Sequence, residues 1–295
     1  MEDRAMDAHE PGNDEAVGQV LYRKKDGVCT ITLNCPERLN AIDHGPGSLH
    51  RDMTDAVARA NREDDVGCIV VTAEGRAFSS GGFVRGEMPD DPMQWYEFLR
   101  VQDEDNERLR EMDKPVIGAI NGLCYGAGLI MVCNFDFLIA VDTAEFGFIE
   151  MRYGDPAAEA LAYLVGPQWA KFLAITGELI TAQKAKEIGL VLEVFPEATF
   201  RDKVQDLGRR IASIPTNAVV MQRRLVNCAM ENMGWRNQKN TANALNALLA
   251  TQAKEHKAPD GRRYLDIRND SWAEFKKVRD APFRPPWLER PETDG

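Results

Sequence analysis

The chain has 295 residues, 44% of them hydrophobic and 28% charged, and its formal net charge is −11. This composition is typical of a globular protein with a sizeable core, and the acidic balance argues against a nucleic-acid partner, which requires a basic face. Six cysteines stand in or beside apolar runs without a CxxC pair, and the four histidines lack metal-ligand spacing. We therefore expect buried reduced thiols, no bound metal and a cytoplasmic protein.

The N-terminal residues 1–16 are acidic and contain proline and glycine, which predicts a disordered tail. Apolar patterning then predicts an α/β region up to residue 199 and a helical region after it. The predicted elements, in chain order, are a hairpin of Val20–Arg23 and Val28–Leu33, a helix at Ser48–Asn61, a strand at Cys68–Thr72, a helix at Met93–Met112, strands at Val116–Ile120 and Phe137–Val141, a helix capped by Thr181, and three helices at Phe200–Ser213, Asn217–Met233 and Asn237–His256.

The stretch Lys114–Asp136 is the most informative part of the chain. A buried strand is followed by the turn Asn121-Gly122, by Gly126-Ala127-Gly128 and by an apolar helix start. Small residues before a helix leave unpaired backbone N–H groups open to a ligand, which favours an anion or a transient oxyanion. The same stretch contains 21 uncharged residues, enough to span a membrane. Asparagines and four glycines interrupt it, so we expect no membrane span.

A second strand with a glycine-rich turn precedes it. The predicted strand Cys68–Thr72 is followed by Ala77–Gly82, which ends in Ser80-Gly81-Gly82. Two such turns, about 45 residues apart, can each supply one backbone N–H to a shared oxyanion site.

Taken with its neighbours, this pattern resembles the crotonase superfamily of enoyl-CoA hydratases and isomerases. The resemblance covers roughly Val17–Val194 without large gaps. It implies a spiral core of ββα units at residues 17–199, a helical region at 200–256 that assembles a homotrimer or a dimer of trimers, and a C-terminal extension at 257–295. The matching segments are Ile31–Asp43, Ile69–Gly82, Lys114–Gly128, Ala144–Gly154 and Leu173–Val194.

The resemblance also implies a reaction on an acyl-CoA through a thioester enolate. The oxyanion donors would be the N–H groups of Gly82 and Ala127, and the proton carrier would be Glu150 in the FGxxE segment. Hydratases of the family have a second glutamate, but Ile130 stands at that position here. A single carboxylate favours isomerase-type or lyase-type chemistry over two-glutamate hydration. No cofactor is expected besides the coenzyme A of the substrate.

Substrate-binding residues follow from the same comparison. Arg38, Leu39 and Ala41 would cup the adenine, and Arg85 would meet a coenzyme A phosphate. Phe83 stands where the family commonly has an aspartate, so the pocket wall should differ there. Bulky side chains suggest an apolar acyl group of limited length. Together with Phe83, the other residues expected to bind substrate are Ser80, Trp95, Tyr125, Ile130 and Phe148.

Asp155 precedes Pro156, a preferred arrangement at a helix N-terminus, so we expect it to cap a helix. Two alternative functions remain open. In the first, the pair Gly154-Asp155 is similar to a branch of the superfamily that cleaves C–C bonds in β-diketones. In that interpretation Asp155, and His50 with it, would be catalytic in a retro-Claisen hydrolysis. The second alternative is a non-catalytic acyl-CoA-binding protein, which the loss of a glutamate at Ile130 would also fit.

Overall fold

A computed structural model describes residues 14–83, 89, 91–155 and 160–288. Strands and helices alternate through the first two thirds of the chain and form two sheets. The strands are β1 (Glu15–Val17), β2 (Val20–Lys25), β3 (Val28–Leu33), β4 (Cys68–Ala73), β5 (Ala77–Ser79), β6 (Val116–Ile120), β7 (Leu123–Tyr125), β8 (Phe137–Val141), β9 (Glu145–Gly147), β10 (Ile180–Thr181) and β11 (Glu193–Phe195). The helices are α1 (Leu49–Arg62), α2 (Pro92–Glu111), α3 (Ala127–Val132), α4 (Leu161–Thr176), α5 (Ala182–Glu187), α6 (Glu197–Ala212), α7 (Thr216–Asn232), α8 (Trp235–Gln252), α9 (Tyr264–Asp270) and α10 (Trp272–Asp280).

The larger sheet has seven strands in the order β1-β2-β3-β4-β6-β8-β11. The first three strands are antiparallel, and the strands from β3 to β11 are parallel. Helices α1 and α6 both pack against this sheet. Strands in such a sheet are covered on both faces, which explains the continuous apolar runs of β4 and β6. The uncharged stretch after Lys114 therefore folds into β6, β7 and α3. No helix in the described part of the chain is long and apolar enough to cross a membrane.

The smaller sheet positions the glycine-rich turns. Its order is β10-β9-β7-β5, and the three strands β5, β7 and β9 run parallel to one another. Gly82 follows the end of β5, Ala127 follows the end of β7, and Glu150 follows the end of β9. Because the carboxyl ends of parallel strands meet at one edge of a sheet, three segments that are far apart in sequence converge at that edge.

The helix boundaries have local causes. The Ser48 hydroxyl accepts a hydrogen bond from the Arg51 N–H at 3.1 Å and caps α1, and Thr181 caps α5 through the Lys184 N–H at 3.2 Å, as predicted. Helix α4 is kinked at Gly166, which precedes Pro167 and has φ 74°. The predicted disordered tail ended at residue 16, but β1 pairs with β2 from Glu15 onward, so the tail prediction is wrong at that end.

The C-terminal helices fold back over the core of the same chain. Helix α8 packs along α2, and α10 lies against the short 3-10 helix Ile149–Tyr153. Arg152 in that 3-10 helix pairs with Asp280 at 2.9 Å, and Asp280 also pairs with Arg279 at 2.8 Å. Tyr264 and Phe275 pack with Tyr153 in a separate apolar cluster. These contacts bring the extension next to the segment that carries Glu150.

Helix α7 is fixed to the core by one buried arginine. The Arg223 guanidinium contacts Asp136 at 2.8 and 2.9 Å and donates to the carbonyl oxygens of Leu109 and Arg110 at the end of α2, at 3.0 and 2.9 Å. Asp136 in turn accepts from the Val116 N–H at 2.8 Å. Arg223 is 8% exposed. One side chain therefore pairs a carboxylate that is only 15% exposed and satisfies the last carbonyls of a helix.

We expect Arg223→Met to lower the free energy of unfolding by about 3 kcal/mol, the lower end for a buried pair, because it leaves the partly buried Asp136 carboxylate without its counter-charge. Urea denaturation monitored by circular dichroism measures this change. Arg224→Met is the matched control, since the Arg224 side chain is 60% exposed and pairs with Asp113 at the surface. The control should cost less than about 1 kcal/mol. Equal effects of the two substitutions would contradict the anchoring role of Arg223.

Candidate active site

A cavity of about 380 Å³ opens at the edge where β5, β7 and β9 end. The turns after these strands form one side of it, α2 forms another, and the C-terminal helices close it. A cavity of this size lies in the range of small-molecule sites. Its lining residues are Ile42, His44, Gly82, Phe83, Trp95, Phe98, Leu99, Gln102, Asp103, Ala127, Ile130, Glu150, Tyr153, Asp155, Asn243, Asn246, Arg268, Trp272 and Phe275.

Gly82 and Ala127 lie side by side in this cavity. A Cβ added to Gly82 would lie 3.6 Å from the Cβ of Ala127. The Ile42 N–H donates to the Gly81 carbonyl at 2.8 Å and the Phe83 N–H donates to the Ile42 carbonyl at 2.7 Å, so the N–H of Gly82 faces away from Ile42. Ala127 is the first residue of α3, and a first-turn N–H has no acceptor within its own helix. The two backbone donors thus meet at one place on the cavity wall.

Gly126 allows the Glu150 carboxylate to approach the second donor. Gly126 has φ 48° and ψ −122°, a conformation that side chains with a Cβ rarely adopt. A Cβ at this position would lie 1.3 Å from Oε1 of Glu150, which no structure tolerates. The carboxylate therefore occupies the space that the absent side chain leaves, directly beside the N–H of Ala127.

The environment of Glu150 prepares it to carry a proton near neutral pH. Burial, together with the negative charge of Asp155, raises the pKa of this carboxyl to about 7, against the lowering effects of the Arg279 charge and of hydrogen bonds from backbone N–H groups, including that of Ala127. Its Oε2 is buried and has no hydrogen-bond partner among the described residues. A carboxyl with a raised pKa in a cleft is the usual form of a general acid or base.

Asp155 is the second carboxyl of the cavity. Its N–H donates to the Glu150 carbonyl at 3.1 Å. Burial raises the pKa of Asp155 to about 6, against the lowering effects of Arg268 and His256. Residues 156–159, where the helix capped by Asp155 was expected to begin, lie outside the described residues, and the next described helix, α4, begins at Leu161. Asp155 itself lines the same cavity as Glu150.

The histidine nearest the cavity is His44, which sequence reasoning did not single out. His50 is 1% exposed and does not line the cavity, and its Nδ1 lies 3.1 Å from Nδ1 of His44. Burial, with the neighbouring His50, lowers the pKa of His44 to about 3, and burial lowers the pKa of His50 to about 4. Both rings are therefore neutral at physiological pH.

The residues expected to shape the acyl pocket divide into two groups. Phe83, Trp95 and Ile130 line the cavity. Tyr125 lies outside it and donates through its hydroxyl to Oε2 of Glu145 at 2.7 Å. Phe148 is 1% exposed and belongs to the hydrophobic core. The structure thus places these two aromatic side chains outside the cavity.

The segment expected to cup adenine lies next to the first glycine turn. Leu39 has a positive φ of 54°, and its carbonyl accepts from the Ser80 N–H at 3.0 Å. The Arg38 guanidinium lies 5.8 Å from the centre of the Phe83 ring and 3.3 Å from Asp43. Ala41 is buried. None of Arg38, Leu39, Ala41 and Ser80 lines the cavity itself. Arg85 lies outside the described residues.

Sequence reasoning missed the contribution of the C-terminal helices to the cavity. Their positions show no motif and lie about a hundred residues from Glu150, so only the fold reveals them. Trp272 stacks on Phe275 with ring centres 5.1 Å apart, and both line the cavity. The other C-terminal lining residues are Asn243, Asn246 and Arg268.

Comparison with known proteins defines the class. Residues 23–275 match the family model described as enoyl-CoA hydratase/isomerase, and the chain belongs to this family of acyl-CoA-processing enzymes. It is 30% identical to 1,2-epoxyphenylacetyl-CoA isomerase of Escherichia coli (strain K12) over 72% of this chain and 83% of that protein. A crystal structure of an enoyl-CoA hydratase/isomerase from Xanthobacter autotrophicus Py2 superimposes with a TM-score of 0.81 and 28% identity, covering 91% of this chain and 99% of that one.

A third relative carries a different reaction name. The chain is 32% identical to (7aS)-7a-methyl-1,5-dioxo-2,3,5,6,7,7a-hexahydro-1H-indene-carboxyl-CoA hydrolase of Rhodococcus jostii (strain RHA1), over 70% of this chain and 76% of that protein. The crotonase fold expected from the sequence is confirmed by these comparisons.

Proposed function

We propose that the protein moves a proton on an acyl-CoA through a thioester enolate and that it is an isomerase or lyase of this kind. The observation that carries the proposal is the convergence of three groups, the N–H of Gly82, the N–H of Ala127 and the carboxyl of Glu150, at one edge of the smaller sheet. Two adjacent backbone donors suit a thioester oxygen that becomes negative, and the carboxyl beside them suits the proton at the neighbouring carbon.

The proposed reaction starts with ionised Glu150. It removes a proton from C2 of a 3-enoyl thioester, and the electron pair moves through C1 to the thioester oxygen. The N–H groups of Gly82 and Ala127 stabilise the resulting oxyanion. The protonated Glu150 then returns the proton to C4 as the double bond moves to C2–C3. Only one proton carrier is needed, which agrees with Ile130 on the cavity wall.

Conversion of 3-hexenoyl-CoA tests this proposal. We expect a product of unchanged mass with the ultraviolet absorbance of a conjugated thioester. A product heavier by one water would indicate hydration and would contradict the single-carboxylate mechanism. Binding of the thioester without any conversion would instead indicate the non-catalytic alternative.

The pKa values of the two carboxyls give a pH prediction. Because ionised Glu150 is the base, the rate of C2 proton removal should rise with pH through an apparent pKa near 7. The charge of Asp155 raises the pKa of Glu150, so Asp155→Asn should move the midpoint to lower pH. The matched control is Asp142→Asn, an exposed carboxyl after β8. A midpoint that stays in place in Asp155→Asn would show that the two carboxyls are not coupled.

Retro-Claisen cleavage is the second candidate, and the position of Asp155 supports it. In this reaction Asp155 would activate water for attack on a ketone carbonyl. The bond between that carbonyl carbon and C2 of the thioester would then break, and its electron pair would pass to C2. The hydrolase name of the Rhodococcus relative agrees with such chemistry. Asp155→Asn should then abolish C–C cleavage of a 1,3-dicarbonyl substrate and leave exchange at C2 intact. Loss of both activities together would argue against a separate role for Asp155.

We also propose that the C-terminal helices assemble a homotrimer or a dimer of trimers. Supporting this, α7 and α8 expose large apolar side chains that a monomer would leave in water. Light scattering that gives the mass of a single chain would contradict it. The exposed residues are Met221, Leu225, Val226, Leu245 and Leu248.

A further inference from the structure

Arg268 lies at the junction of two neighbouring cavities. It lines the main cavity together with Gly82 and Ala127, and it also lines an adjoining cavity of about 90 Å³. Helix α9, which carries it, is held against the body by Tyr264, whose ring packs with those of Tyr153 and Phe275. A folded element therefore presents this guanidinium to the cavity.

Within the described part of the chain, Arg268 has no ion-pair partner. Its neighbours Arg262 and Arg263 pair with Asp260 and Asp266 at 2.6 and 2.8 Å. Asp155 is close enough for Arg268 to lower its pKa, but the two groups form no direct ion pair. A half-buried guanidinium thus faces the cavity with donors that no described side chain accepts. Such a group is stabilised by an acceptor that arrives with the ligand.

Among the described residues that line the cavity, no other cation is free to meet a polar acyl group. Asp103 is already paired with Lys239 at 3.2 Å and accepts from Asn243. The rest of the surface towards α2 and α10 is largely aromatic, through Phe98 and Trp272 among others. The acyl group would therefore lie between apolar surfaces and meet one guanidinium at a distance from the thioester.

We propose that Arg268 donates to an acceptor oxygen that the acyl group carries away from its thioester, so that the substrate class is an oxygenated acyl-CoA. This inference rests on the proposed function, in which Gly82 and Ala127 hold the thioester end. A ketone oxygen and a carboxylate can both accept from the guanidinium. Asp155 stands on the same wall and is mostly ionised at neutral pH, so it repels a carboxylate and favours the ketone.

Three six-carbon thioesters test this proposal: hexanoyl-CoA, 5-oxohexanoyl-CoA and adipoyl-CoA, each with its eight-carbon counterpart. Exchange of the C2 hydrogen in D2O gives kcat/KM for every thioester, and calorimetry gives Kd. We expect the oxo-acyl thioester to exceed the plain one by about 10- to 100-fold in the wild type, because a hydrogen bond to a charged donor is gained. Arg268→Met should abolish this preference for the oxo-acyl thioester, and Arg268→Lys should keep part of it. Arg263→Met, on the same segment, should leave it unchanged.

The ratio between the oxo-acyl and the plain thioester shows whether Arg268 binds the acyl group directly or acts only through Asp155. If Arg268 acted only through Asp155, its loss would lower exchange of all the thioesters equally, and an unchanged ratio would overturn the inference while leaving the proposed function intact. Exchange with none of the thioesters would refute the proposed function. In that event the Kd ratio decides, since tighter binding of the oxygenated thioesters that depends on Arg268 supports the inference and equal binding overturns it.

Discussion

Glu150→Gln should lower the rate of proton transfer on an acyl-CoA by about 10²- to 10⁴-fold, the usual contribution of a positioned acid or base. The amide has nearly the shape of the carboxyl and its oxygen can still accept from the N–H of Ala127, but it cannot take up the C2 proton. Turnover of 3-hexenoyl-CoA and the Kd of a saturated thioester measure the effect. Kd should change little, because the substitution removes chemistry and not the oxyanion donors.

The control for this prediction is Glu145→Gln on strand β9. Glu145 lies five residues earlier, accepts from the Tyr125 hydroxyl at 2.7 Å and does not line the cavity. We expect the activity of Glu145→Gln to stay within about twofold of the wild type, because the substitution lies away from the reacting atoms. Undiminished turnover in Glu150→Gln on every accepted substrate would refute the assignment of the base.

Ala127→Pro should lower kcat by about 10²- to 10³-fold, because it deletes one of the two oxyanion donors. The substitution should spare the helix, but it also removes the hydrogen bond from the Ala127 N–H that lowers the pKa of Glu150. Ala127 occupies the first position of α3, where proline is preferred and where its missing N–H removes no hydrogen bond of the helix. The helix should therefore form as before, and a thermal melt near that of the wild type would show this.

Ala127→Gly is the matched control, because it also changes the side chain but keeps the N–H. We expect it to retain most of the activity, with a cost limited to the greater flexibility of glycine. Equal loss of activity in the two variants would show that the side chain or the fold of α3, and not the N–H, is what matters. In that case the oxyanion role of Ala127 would be wrong.

The centre of the larger sheet was predictable from the sequence because β3, β4, β6 and β8 are largely apolar runs of five or six residues, whereas the three-residue β1 was not predicted. The smaller sheet was not, since β7, β9 and β10 have three residues or fewer and carry no periodic signal. This sheet aligns the glycine turns, so the sequence could suggest a shared site for Gly82 and Ala127 only by resemblance. The relative positions of these two residues could be seen only in the folded structure.

The cavity wall shows the same division. Phe83, Trp95 and Ile130 were expected there and line it, whereas Tyr125 points instead to Glu145. Side chains alternate along a strand, and a three-residue strand gives too little pattern to fix which face is which. Arg268 lies on a helix of seven residues beyond the resemblance, so no motif could indicate that it reaches the cavity.

Deuterium uptake tests the central claim most directly. Saturated acyl-CoAs incubated with the wild type in D2O should gain deuterium at C2, detected by mass spectrometry, and this uptake should disappear in Glu150→Gln. Such a result would establish enolate formation and assign the base in one experiment. Absence of uptake with any thioester, or equal uptake by the wild type and the variant, would contradict the account.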